Sequence, residues 1–125
     1  MAQEKRDLSE RLLDYGARLI KLVESLPNTL VGRRVADQLL RSGTSAGANY
    51  EEACGAESKS DFVHKLQIAL KEMREATYWI RLLVKSGKIS AARMSGLLDE
   101  SNQLCAILAK SVATAKGKAK GTSDG

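Results

Sequence analysis

Between Phe62 and Leu83 the chain repeats one interval. Phe62, Leu66, Ala69, Met73, Ala76, Ile80 and Leu83 stand at spacings of 4, 3, 4, 3, 4 and 3. Such a row occupies one face of a helix and packs along its whole length against other helices. A strand alternates with period two and scatters the same residues over both faces. Ser58 or Ser60 is placed to cap the start of this helix, and Gly87 to close it in the left-handed conformation.

The remaining chain follows the same logic. From residue 7 to 26, Leu8, Leu12, Tyr15, Leu19, Val23 and Leu26 hold one helix face. Asp7 and Glu10 have the spacing of a capping box, and Pro27 ends the helix. Asn28 or Thr29 can cap a second helix, from about Leu30 to Gly55, on which Val31, Val35, Leu39, Ala46, Tyr50 and Cys54 keep the period. A fourth begins near Ser90 with Met94, Leu97, Ser101, Leu104 or Cys105, Leu108 and Val112. Aromatic residues are only 4% of the chain, which also disfavours sheet. Short connections make successive helices antiparallel neighbours. The expected fold is all-α, an antiparallel up-down-up-down four-helix bundle over residues 1–115. Residues 116–125 are expected to form a disordered basic tail with nothing larger than alanine to bury.

Helix three carries more apolar residues than one seam uses: Val63, Ile68, Leu70, Trp79, Leu82 and Val84. Some of these are expected to fill the wider core face that a bundle helix presents and others to meet another copy of the chain, with assembly the preferred use of the surplus.

Gly43-x-Ser45-x-Gly47 has the spelling of a hydrolase nucleophile elbow, and Gly43-xxx-Gly47 that of a close helix–helix contact. An elbow needs a strand before its serine. The residues before Gly43 are helical in pattern, and the only histidine, His64, follows too closely for the hydrolase order. Small residues four apart let helix backbones approach instead, so Gly43 and Gly47 are read as packing positions. No catalytic residue emerges. Cys54 and Cys105 lack CxxC spacing, and His64 lacks a second ligand, so no metal or other cofactor is expected. With a polar start and no long apolar run, neither a secretory leader nor a membrane span is expected, and the cytoplasm is the expected compartment.

The net charge of +5 has a location. Residues 57–88 hold seven basic groups against four acidic ones, and the tail three against one, while the other segments balance. Lys71, Arg74, Tyr78, Arg81, Lys85 and Lys88 recur at spacings of 3, 4, 3, 4 and 3, opposite the seam of helix three, with Gln67 and His64 extending the row. Cations with an aromatic among them suit phosphate contact and base stacking. A solvated helix face, with Glu75 pairing Lys71 and Asp61 pairing Lys65, has the same appearance.

The run Val35-Ala36-Asp37-Gln38-Leu39-Leu40-Arg41-Ser42-Gly43-Thr44-Ser45-Ala46-Gly47-Ala48-Asn49-Tyr50-Glu51-Glu52-Ala53 carries a family resemblance. Ser58-Lys59-Ser60-Asp61-Phe62, Ile68-Ala69-Leu70-Lys71-Glu72 and Thr77-Tyr78-Trp79 add to it. From about Leu8 to Lys116 the chain resembles the small four-helix-bundle proteins encoded in intervening sequences of bacterial 23S ribosomal RNA genes. The resemblance implies a ring, typically a homopentamer, without established catalytic activity. The accessory variability proteins of diversity-generating retroelements, which act with a reverse transcriptase and structured RNA, look related. Two functions are therefore in view: a non-enzymatic oligomer that binds RNA or another polyanion through helix three, or a scaffold for a protein such as a reverse transcriptase. The resemblance transfers no binding residues.

Overall fold

The computed structural model describes the backbone of residues 2–124 and the side chains of residues 7–117. Four helices make up the fold: α1 (Ala2–Glu24), α2 (Leu30–Cys54), α3 (Lys59–Lys85) and α4 (Ala91–Asp124), with no strand among the described residues. The largest interface joins α2 to α3. Next come α3–α4 and α1–α2, while α1 and α4 meet at few points and, among the described residues, the diagonal pairs are not adjacent.

The helix ends follow local chemistry. Thr29 Oγ1 accepts from Gly32 N at 3.1 Å, and Ser58 Oγ accepts from Asp61 N at 3.0 Å, each satisfying an amide that the first turn leaves unpaired. Ser90 does the same for Arg93 N at 3.1 Å. After α3, Gly87 adopts φ +77°, Gly87 N donates to Val84 O and Lys88 N donates to Leu83 O. This is the paired-bond closure that a left-handed glycine allows.

Two expectations, the Asp7 cap and the inward place of Val31, need correction. Asp7 lies inside α1 and does not cap it, because the helix starts at Ala2; Gln3, Glu4, Lys5 and Arg6 are all good helix formers. Val31 faces solvent at 52% exposure, and Gly32 takes the buried position. A Cβ on Gly32 would stand 1.9 Å from Pro27 O, so only glycine fits beneath the chain reversal. The boundary drawn at residue 115 falls within α4. Ala115 is buried and the helix continues through Lys116 and Gly117. The side chains of residues 118–125, on which most of the expected tail falls, lie outside those described.

The core matches the seams. Leu66, Ala69, Met73, Ala76, Ile80 and Leu83 are at most 2% exposed. Opposite them lie Leu12, Tyr15 and Leu19 of α1, Val35 and Leu39 of α2, and Met94, Leu97, Leu104 and Leu108 of α4. At the last turn of α1 the buried residue is Leu22, with Val23 only half-buried.

One polar chain crosses this core. Thr77 Oγ1 donates to Met73 O at 2.9 Å, which leaves Thr77 to accept from Ser101 Oγ at 2.6 Å. Ser101 in turn accepts from Tyr15 Oη at 2.8 Å. Burial pushes the Tyr15 phenol up to about 12. The chain joins α1, α3 and α4 at one level, and among the described residues no buried side-chain nitrogen or oxygen lacks a partner.

Gly43 and Gly47, read together from sequence, have different surroundings. A Cβ on Gly43 would stand 1.9 Å from Leu19 Cδ1, whereas on Gly47 it would meet Leu12 Cβ at an ordinary 3.6 Å. Leu19 is fully buried and has little room to yield. Overpacking of this kind costs about 1–3 kcal/mol, and the gain in helix propensity over glycine is about 1 kcal/mol. Gly43→Ala is therefore expected to lower stability, and Gly47→Ala to raise it by up to about 1 kcal/mol. Urea unfolding of the two variants checks this, and equal shifts would show that Leu19 does not set the spacing.

Candidate nucleic-acid interface

The outer face of α3 assembles most of the row read from sequence. Lys71, Arg74, Tyr78, Arg81 and Lys85 are all exposed on that helix, and His64 extends the row while Gln67 is half-buried. Lys88 is exposed too, but it lies beyond the end of α3 in the turn, where helical spacing no longer applies. It adds charge at the end of the row without sharing its geometry. From Lys71 to Lys85 the row covers about 21 Å of helix axis.

The local ion pairs expected to neutralise this face do not form. Glu75 accepts from Arg41 of α2 and, at 3.1 Å, from Trp79 Nε1. Arg41 also holds Glu72 at 3.0 Å. Lys65 reaches across to Glu52 at 2.8 Å, not to Asp61. Among the described residues, Lys71, Arg74, Arg81, Lys85 and Lys88 have no carboxylate oxygen within 4.0 Å. The physical reason is competition. Arg41 lies opposite two α3 carboxylates and engages both, a better arrangement than a single flexible lysine on the same helix offers.

These bonds have electrostatic consequences. The Trp79 hydrogen bond, followed by Arg41, holds the Glu75 carboxyl below its usual range. The Glu75 bond in turn raises the Arg41 guanidinium. Trp79 is half-buried by this anchoring, and its ring meets Tyr78 edge-on, with centroids 5.1 Å apart and planes at 74°. Tyr78 remains 55% exposed, so a face of its ring is open for stacking.

Arg41 was not singled out from the sequence. Its signal was present in Glu72 and Glu75, three apart and thus on one side of α3, but pairing them with an α2 residue requires the register of the bundle. Other features were also missed. Of the surplus apolar residues on helix three only Leu82 is exposed; the more exposed aliphatic side chains are Leu13, Ile20, Leu30 and Val31 on α1 and α2.

Ser45 lies in the middle of α2, where its Oγ accepts from Asn49 Nδ2 at 3.1 Å. Among the described residues only Gly87 has positive φ, so Ser45 does not sit on the strained turn of a nucleophile elbow. No cluster of three or more potential metal ligands occurs among the described residues. Cys54 and Cys105 are free and half-buried. No described helix is long and apolar enough to cross a membrane.

A family model described as 23S rRNA-intervening sequence protein matches residues 4–110. A solved structure of a protein of unknown function from the S23 ribosomal protein family of Bacteroides thetaiotaomicron is similar, with a TM-score of 0.78 and 34% sequence identity. The likeness covers 84% of this chain and 97% of that one. No curated protein matches the chain.

The Glu75 arrangement makes a testable demand on pH dependence. A carboxyl whose folded pKa is depressed contributes stability above its unfolded pKa of about 4.3 and loses it as pH falls through the lower folded value. Glu75 is partly exposed, so its contribution is about 1 kcal/mol or less. Glu75→Gln is expected to be less stable than wild type at pH 7, with the gap closing below about pH 4. Urea midpoints at several pH values check this; a gap independent of pH would show that the ionised carboxylate is not the stabilising species.

Proposed function

The chain belongs to the 23S rRNA-intervening sequence protein family, and on that premise we propose that it is a non-enzymatic, homo-oligomeric RNA-binding module of the cytoplasm. The outer face of α3 is its contact surface. The observation that carries this reading is that Lys71, Arg74, Arg81 and Lys85 form one exposed row around an exposed Tyr78, without ion-pair partners among the described residues, and that Lys88 adds charge beyond its end. Unpaired cations in a row release counterions from phosphates without first breaking a salt bridge, and the tyrosine offers a stacking surface to an unpaired base. Polyanions without bases share the charge contact but not the stacking.

The four helices run alternately up and down in this reading. Contacts between neighbours support it by their opposite order: Leu12 lies by Gly47 and Leu19 by Gly43, while Glu52 meets Lys65 and Arg41 meets Glu72. Copies assemble as a ring, a pentamer in the expectation drawn from sequence, and repetition of a weak stripe about the ring axis multiplies its affinity.

Binding of a structured RNA, titrated over salt, tests the proposal. Affinity is expected to fall steeply with salt. In the full-length chain, replacing Arg74 and Arg81 by glutamate is expected to flatten the slope of log affinity against log salt by about 2 per engaged subunit. An unchanged slope and affinity would remove the α3 face from RNA binding.

A further inference from the structure

We infer that the groove between α1 and α2 receives the α1–α2 corner of a second copy of this chain, the two surfaces forming the repeating contact of the assembly. The inference rests on the reading of the chain as a ring-forming oligomer, and it leaves the outer face of α3 free.

The groove has a volume of about 610 Å³ and is walled by Leu12, Leu13, Ala17 and Ile20 of α1 with Gly47 and Ala48 of α2. Leu13 is 67% exposed and Ile20 47%, so this apolar wall is open to water. Among the described residues its charged lining is Asp14 and Glu51, both acidic. Neither has a basic nitrogen within 4.0 Å among the described residues. The groove is thus apolar, concave and negative.

The corner is its complement. Leu30 is 77% exposed and Val31 52%, at the first turn of α2 where the chain reverses after Pro27. Two arginines follow directly, Arg33 and Arg34, both exposed. Arg33 holds Asn28 Oδ1 at 3.0 Å and the Thr29 cap holds Gly32 N at 3.1 Å, so the corner keeps one shape before it docks. Arg34 has no carboxylate oxygen within 4.0 Å among the described residues. The corner is apolar, exposed and positive. Opposite charge at the rims of two apolar surfaces steers encounter and selects orientation.

A second copy is the occupant because the two surfaces match and one chain cannot join them. From Val31 to Gly47 α2 rises about 24 Å, which keeps a corner away from its own groove. The patches differ, so the contact is heterologous: copies add head to tail, and a suitable rotation closes them into a ring.

Mixing two defective variants tests this arrangement. Leu13→Glu breaks the groove and keeps the corner, while Val31→Glu breaks the corner and keeps the groove. Each alone is expected to sediment as the 13.5 kDa single chain, with helix content unchanged by circular dichroism. Mixed, they are expected to form a 1:1 species of twice that mass, because one intact groove still meets one intact corner. Ile20→Glu and Leu30→Glu serve as second variants where either first one fails to fold. Variants that assemble like the wild type, or single chains that do not pair on mixing, would overturn the inference while leaving the ring reading intact. A wild-type chain that sediments alone would overturn both.

Discussion

The approach of α1 to α2 sets the geometry on which the other contacts depend, and that approach is limited by one side chain over one missing one. Leu19 occupies the space where a Cβ on residue 43 would stand. Glycine in a helix interior is unfavourable by about 1 kcal/mol relative to alanine, and the buried contact of a whole leucine side chain offsets that cost. With Leu19 seated there, Tyr15 on the same face of α1 reaches the middle of the core, where its hydroxyl meets Ser101. Packing of α1 on α2 and its hydrogen bond to α4 are therefore one constraint.

The polar chain from Tyr15 through Ser101 and Thr77 to Met73 O selects a register more than it adds stability. A neutral hydrogen bond contributes about 1 kcal/mol net, but a buried donor or acceptor left without its partner costs about 1–3 kcal/mol. Sliding any of the three helices by one turn would strand these hydroxyls in an apolar core. Hydrophobic seams alone tolerate such slippage, because leucine and alanine positions recur each turn.

Arg41 links the packing to the surface chemistry. By engaging Glu72 and Glu75 from the neighbouring helix it anchors α2 to α3, and the direct ion pair of Glu75 is with Arg41 and not with Lys71. The same network orients Trp79, whose ring meets Tyr78 edge-on. The exposed basic character of α3 is thus a product of tertiary structure, although every cation in it is visible in the sequence.

What the sequence by itself determined is the helices, their inward faces and most of their ends. The unbroken spacing from Phe62 to Leu83, the serine and threonine caps and Gly87 act through local geometry, which the chain carries wherever it folds. The row from Lys71 to Lys85 was legible for the same reason, since helical period alone places those residues on one face. Lys88 was misplaced because its spacing fits a helix that Gly87 has already ended. Contacts between helices decided the rest: that Gly43 and not Gly47 is tightly covered, that Arg41 takes Glu75 from Lys71, and that Leu13, Ile20, Leu30 and Val31 remain outside while most of the surplus on α3 is covered. These depend on the rotation and register of one helix against another, which arise only when side chains from distant parts of the chain compete for the same space.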